Sequence, residues 1–191
     1  VGDFIECDGI RGKVDSISKN TVTSSGDYGI NINQTSTVTK NIENNTVTDT
    51  VNAAIRVSNT STAVNISGNN IKNTGWASIV VNDKSTVSAI SNNTIVVPKD
   101  NYGVYIYNES TVKKVSNNSI TTDKSADVYV TSDSNVEEFG WQKSDGKWSY
   151  LDKTGKKVTG WTEIEPNEKK WYFFDTDGIL QTGWIKDGGK W

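Results

Sequence analysis

The residues able to carry chemistry are few and unevenly placed. The 191-residue chain contains no His, so it lacks the commonest general base and the commonest zinc ligand. Its only Arg residues are Arg11 and Arg56. Cleavage of a glycoside needs two carboxylates about 5–10 Å apart, and a lyase needs a cation on clustered carboxylates beside a strong base. Asp27, Asp49, Asp83, Asp100 and Asp123 instead fall singly among turn residues, where solvated carboxylates are ordinary. These positions give no catalytic residues, no metal site and no cofactor motif. Aromatic faces are the richer resource. Of the seven Trp, six lie from Trp141 onward and only Trp76 comes earlier; such faces attract cations.

The length allows one or two domains with a real core. A net charge of −3, from 20 basic and 23 acidic residues, argues against a nucleic-acid partner. No apolar run is long enough to span a bilayer, and no segment reads as a signal peptide. The chain has no Met, so it reads as a mature or excised piece of something longer. Cys7 is the single cysteine, which excludes an intrachain disulfide framework; it is expected in the core of a first partial coil, or else as a free thiol.

The composition changes sharply along the chain. Of 21 Asn, 20 precede position 136. Residues 1–139 carry a net charge of −4 and residues 140–191 a net charge of +1. The break near Phe139–Gly140 predicts two domains, 1–139 and 140–191, and with no Ser/Gly linker between them they should abut.

The first part is a repeat. Ile17–Val22 (Ile-Ser-Lys-Asn-Thr-Val) returns as Ile42–Val47, Ile66–Ile71, Ile90–Ile95 and Val115–Ile120. Its Asn residues, Asn20, Asn45, Asn69, Asn93 and Asn118, step by 25, 24, 24 and 25. Two more tracks keep the period: the pairs Ile30/Ile32, Ile55/Val57, Ile79/Val81, Val104/Ile106 and Val128/Val130, and the pairs Ser36/Val38, Ser61/Ala63, Ser85/Val87, Ser110/Val112 and Ser134/Val136. Each unit therefore holds three short stretches of period-2 alternation, as in strands with one buried face. Turn residues fill the gaps. Three short strands per 24–25 residues make a parallel β-helix, and the period favours the right-handed kind. The equivalent Asn side chains should then stand about 4.8 Å apart as a structural hydrogen-bonded ladder. Tyr105 and Tyr129, with Tyr102, Tyr107 and Trp76 nearby, should face outward, either as cross-coil stacking or as a sugar platform. This part resembles the right-handed β-helix folds of pectate lyases and related bacterial surface proteins.

From Gly140 the pattern changes. Gly140-Trp141 leads through Gly146, Trp148-Ser149-Tyr150 and Gly155 to Lys157 and Thr159-Gly160-Trp161. A second copy runs through Trp171-Tyr172-Phe173-Phe174 and Gly178 to Leu180 and Thr182-Gly183-Trp184, and a third stops at Trp191. Alternating aromatics joined by Asp-Gly or Thr-Gly turns read as β-hairpins. These copies resemble the choline-binding, cell-wall-binding repeats, whose units read Gly-Trp…Gly-x-Trp-Tyr-Tyr…Gly-x-Met-x-Thr-Gly-Trp. They are similar also to glucan-binding repeats of streptococcal glucosyltransferases and to short repeats of clostridial toxins.

The resemblance implies a solenoid of hairpins whose aromatics cage the quaternary ammonium of teichoic-acid choline. Carried over by motif, one cage would use Trp148, Trp161 and Tyr172, and a second Trp171, Trp184 and residues beyond Trp191. Lys157 and Leu180 occupy the family's Met position, and Ser149 replaces its first Tyr. An ammonium from Lys157 at the first cage would repel choline, whereas Leu180 keeps an apolar wall. A neutral carbohydrate such as glucan is the alternative ligand.

The expected whole is all-β: a right-handed parallel β-helix followed by a β-hairpin solenoid, each truncated at its outer end. The expected function is that of a non-catalytic, secreted and cell-wall-associated surface protein or adhesin of a Gram-positive bacterium, with the β-helix as a rigid platform. One alternative is an accessory part of a polysaccharide lyase or hydrolase acting on acidic glycans, with a host or environmental polysaccharide as partner. Another is a self-associating rod, since Val1–Cys7 enters the solenoid in mid-coil and an open edge can template end-to-end stacking.

Overall fold

The computed structural model describes residues 5–7, 12–98, 100–121, 127–144, 146–152, 155–164 and 169–185. Arg11, Asp123 and Trp191, and the side chain of Cys7, lie outside the described residues. Among the described residues there are strands and turns but no helix. The β-branched residues that make helices costly favour strands instead, and their alternation leaves one apolar face per strand to cover.

That face is covered by wrapping. Three parallel sheets are built from one strand per coil. The first joins Ile5–Cys7, Ile30–Ile32, Ile55–Val57, Ala77–Val81, Tyr102–Ile106 and Val128–Val130. The second stacks Thr37–Glu43, Thr62–Ser67, Thr86–Ser91, Thr111–Ser116 and Asn135–Phe139, with Lys13–Val14 and Ile17–Ser18 both paired to its first long strand. The third holds Thr21–Thr23, Thr46–Thr50, Asn70–Thr74, Thr94–Val96 and Ser119–Thr121. The register pairs like with like: Ile30, Ile55, Ile79, Val104 and Val128 form one column. These residues and their counterparts in the other sheets make one continuous core. Each contributes roughly 1.5–3 kcal/mol by burial.

Polar columns close the corners. The Asn69 amide nitrogen donates to Asn93 Oδ1 at 2.9 Å and to the carbonyl of Ile42 at 2.9 Å, and its backbone N–H also donates to Asn93 Oδ1 at 3.0 Å. The same geometry links Asn20 to Asn45, Asn45 to Asn69 and Asn93 to Asn118 at 2.9–3.1 Å. The residue before each of these Asn is left-handed: Lys19, Asn44, Gly68, Asn92 and Asn117 have φ of 55–65°. Asn and Gly suit that conformation best, which explains the Asn-Asn pairs of the repeat. A second column runs through Ser61, Ser85, Ser110 and Ser134, whose hydroxyls each accept the backbone N–H of the preceding coil's Ser at 3.1 Å.

The C-terminal segments pair antiparallel. Trp141–Ser144 and Lys147–Tyr150 make a first hairpin, and Gly160–Ile164, Lys170–Phe174 and Leu180–Gln181 make a three-stranded second unit. No helix among the described residues is long and apolar enough to cross a membrane.

Candidate ligand-binding site

The site is built by the two faces of the first hairpin. Opposed residues of an antiparallel pair share a face, so Gln142 and Ser149 lie on one side, and Trp141, Tyr150, Lys143 and Trp148 on the other. Gln142 and Ser149 are 2% and 3% exposed. Gln142 continues the Asn column: its Oε1 accepts the Asn118 N–H at 3.0 Å, and its Nε2 donates to the carbonyl of Val115 at 3.3 Å. The Asn117 N–H donates to the carbonyl of Trp141 beside it. This side of the hairpin thus lies on the last coil. A Tyr at position 149 would have no room there, which accounts for the serine.

The opposite side meets the second unit. Trp141 sits edge-on to Tyr172 at 5.0 Å, to Tyr150 at 5.4 Å and to Trp148 at 6.2 Å, and lies 5.9 Å from Phe174. Trp148, Tyr172, Leu180, Trp141 and Asn117 line an open cavity of about 300 Å³. The Lys143 ammonium lies 5.3 Å from the centre of the Trp148 ring. Asp-x-x-Gly turns hold the connecting segments. The Asp175 carboxylate accepts the N–H groups of Asp177 and Ile179 at 3.0 and 2.9 Å and the Gln181 side-chain amide at 2.7 Å. Gly178, with φ of +72°, leaves room that a Cβ would take from Lys157 at 2.5 Å.

The motif-derived residues are therefore regrouped. Trp148 and Tyr172 come together, and Leu180 walls the same cavity rather than a second one. Trp161 does not join them. It lies opposite Phe173 in the register, 5.3 Å from its ring, and period-2 alternation turns that face away from Tyr172 and Phe174. Trp171 shares this outer face, opposite Glu163, and is 57% exposed. Trp184 is 87% exposed. The missing wall is Trp141, which the sequence reading left out although Gly140-Trp141 has the same form as Gly160-Trp161.

Lys157 is also elsewhere. Instead of standing at the cavity rim, its ammonium lies 3.5 Å from the Asp127 carboxylate of the β-helix. Burial pushes the Asp127 carboxyl above the usual carboxylate range, and Lys157 offsets part of that rise. The repulsion expected of Lys157 toward a cationic ligand is thereby removed. Among the described residues no group of three His, Cys, Asp or Glu side chains converges as a metal site would require.

Residues 9–120 match the family model for the right-handed β-helix region. The chain belongs to this family. In this β-helix protein, residues 140–157 and 159–180 further match the cell wall binding repeat of the choline-binding type. It thus couples a β-helix to repeats that mark a cell-wall-binding protein. No curated protein and no solved structure matches the chain.

Proposed function

We propose that this β-helix protein is a non-catalytic, secreted surface protein of a Gram-positive bacterium, held to the cell wall by its C-terminal repeats. Residues 140–191 act as the anchor and residues 1–139 as a rigid platform. The anchor's ligand is the quaternary ammonium of teichoic-acid choline, taken by the cavity of Trp141, Trp148 and Tyr172. The observation that carries this reading is three aromatic side chains from successive hairpins around one open cavity with an apolar wall, Leu180. Cation–π contacts contribute about 0.5–2 kcal/mol each, depending on desolvation. The transfer of Lys157 to Asp127 supports it, because no ammonium from that position competes for the cavity. The full chain should be retained on a choline resin and eluted by free choline, and Trp148→Ala should pass through. Flow-through of the intact protein would sink the choline reading.

One observation favours a second ligand class. Lys143 already places an ammonium 5.3 Å from the Trp148 ring, and a neutral cell-wall sugar tolerates that neighbour as a hydrogen-bond donor. Retention on a glucan matrix without elution by choline would select this reading.

A further inference from the structure

On the ring-bearing face of the first hairpin, Trp141 pairs with Tyr150 and Lys143 with Trp148, so Lys143 is the charged member of an otherwise aromatic face. Its strand is anchored rather than loose. The Lys143 N–H donates to the carbonyl of Asn118 on the last coil at 3.0 Å, and two residues earlier the Trp141 carbonyl accepts the Asn117 N–H. The β-helix therefore sets the backbone position of Lys143, and Asn117 itself lines the cavity. From there the Lys143 side chain crosses to its register partner, bringing its ammonium 5.3 Å from the centre of the Trp148 ring.

Other lysines neutralise a carboxylate. Lys40 meets Asp15 at 3.0 Å, Lys84 meets Glu109 at 3.6 Å, Lys157 meets Asp127 at 3.5 Å, and Lys114 meets Glu138. Lys143 is in no ion pair among the described residues, and its neighbour is an indole instead. That cation sets a condition on the ligand. An aromatic ring holds a quaternary ammonium within about 6 Å of its centre, so bare choline would bring a second cation to an indole that already has one. Like charges at that range repel. An anion carried by the ligand reverses the sign, because it attracts the Lys143 ammonium while its own trimethylammonium enters among the rings. In a phosphocholine ester the two charges are joined by an ethylene bridge, short enough for the phosphate to stay at the rim.

We propose that Lys143 is a specificity-determining residue of the Trp148 cavity, pairing with the phosphate of a phosphocholine ester whose trimethylammonium lies among Trp141, Trp148 and Tyr172. This deepens the choline reading of the cavity and rests on it. The ligand class is then a zwitterion rather than a free cation. Because Lys143 is exposed, the pair contributes on the scale of a surface ion pair and fades as salt screens it.

The test is isothermal titration of the full chain with choline, phosphocholine, glycerophosphocholine and inorganic phosphate at low ionic strength. Both esters should bind about fivefold more tightly than choline, and inorganic phosphate more weakly than either ester. Lys143→Gln should bring the esters and choline within about twofold of each other, weakening the esters while tightening choline, whose competitor on Trp148 is gone. Lys147→Gln removes the same charge from the hairpin's other face, opposite Ser144, and should keep the preference. Circular dichroism melts check that both exposed-site variants fold. Choline binding with no preference for the esters would overturn this proposal alone, as would a preference that survives Lys143→Gln or is lost equally in Lys147→Gln. Silence with choline and with both esters would overturn the choline reading together with it.

Discussion

In the β-helix the inward Ile, Val and Ala side chains from Ile17 to Val128 are at most 8% exposed, whereas Trp148, Trp161, Trp171 and Trp184 of the hairpin units are 38–87% exposed. Each coil is covered above and below by a copy of itself, and register brings every apolar group and every corner amide to its counterpart. Nothing inside such a column is left for a ligand. A hairpin has two faces and one neighbour per face, so aromatic rings stay open wherever the next unit leaves a gap. The first hairpin belongs to both regimes. Its Gln142 and Ser149 face obeys the rule of the coils, and its Trp141 and Trp148 face obeys the rule of the repeats.

The comparison breaks most readily at a corner. Asn69→Ala would take the Oδ1 acceptor from the Asn45 backbone and side-chain donors and the amide donor from the Ile42 carbonyl, leaving Asn93 Oδ1 with the backbone N–H alone, so urea unfolding should show a loss of at least about 3 kcal/mol. A loss under about 1 kcal/mol would mean the column is not closed as described. Choline retention of the folded fraction should not change.

Next in size is the contact that ties the regions together. Lys157→Leu leaves the Asp127 carboxylate buried without its partner and should cost about 1–2 kcal/mol at neutral pH, discounted because Lys157 is partly exposed. Asp127 holds its proton more readily in the fold than in the unfolded chain, since burial raises its pKa. Its contribution to stability therefore grows as pH falls through the raised folded value toward the ordinary carboxylate range, and is lost as pH rises. The Lys157→Leu deficit should accordingly shrink in acid and vanish in an Asp127→Asn background. Denaturation midpoints at neutral and acidic pH decide this.

Binding effects separate the faces of the hairpins more finely. Trp148→Ala should weaken choline affinity about tenfold, or 1.4 kcal/mol, by calorimetry. Trp161→Ala, on the outer face with Phe173, should change it less than about twofold. Equal losses would return Trp161 to the cavity.

The coils were legible because three tracks keep one period, and a register error in any of them would bury polar residues. The end of the Asn column was not, because its next rung is Gln142, a different residue type beyond the composition break. For the cavity, residue types pointed to aromatic walls but not to their grouping. Trp161 and Tyr172 are both aromatic and close in sequence, yet only the pairing of Trp161 with Phe173 reveals that they face apart. Lys157 stands where the repeat pattern has Met, and no repeat pattern contains the Asp127 it reaches on the β-helix. Trp141 carried a usable signal in its Gly-Trp pair, masked because the motif directs attention to the next copy.

The most direct test of the proposed anchor is to follow the indole N–H resonances of the full chain during a choline titration. The resonances of Trp141 and Trp148 should shift together and saturate, while those of Trp161, Trp184 and Trp76 stay in place. Shifts confined to Trp161 or Trp184, or no shift at Trp148 at saturating choline, would contradict the account.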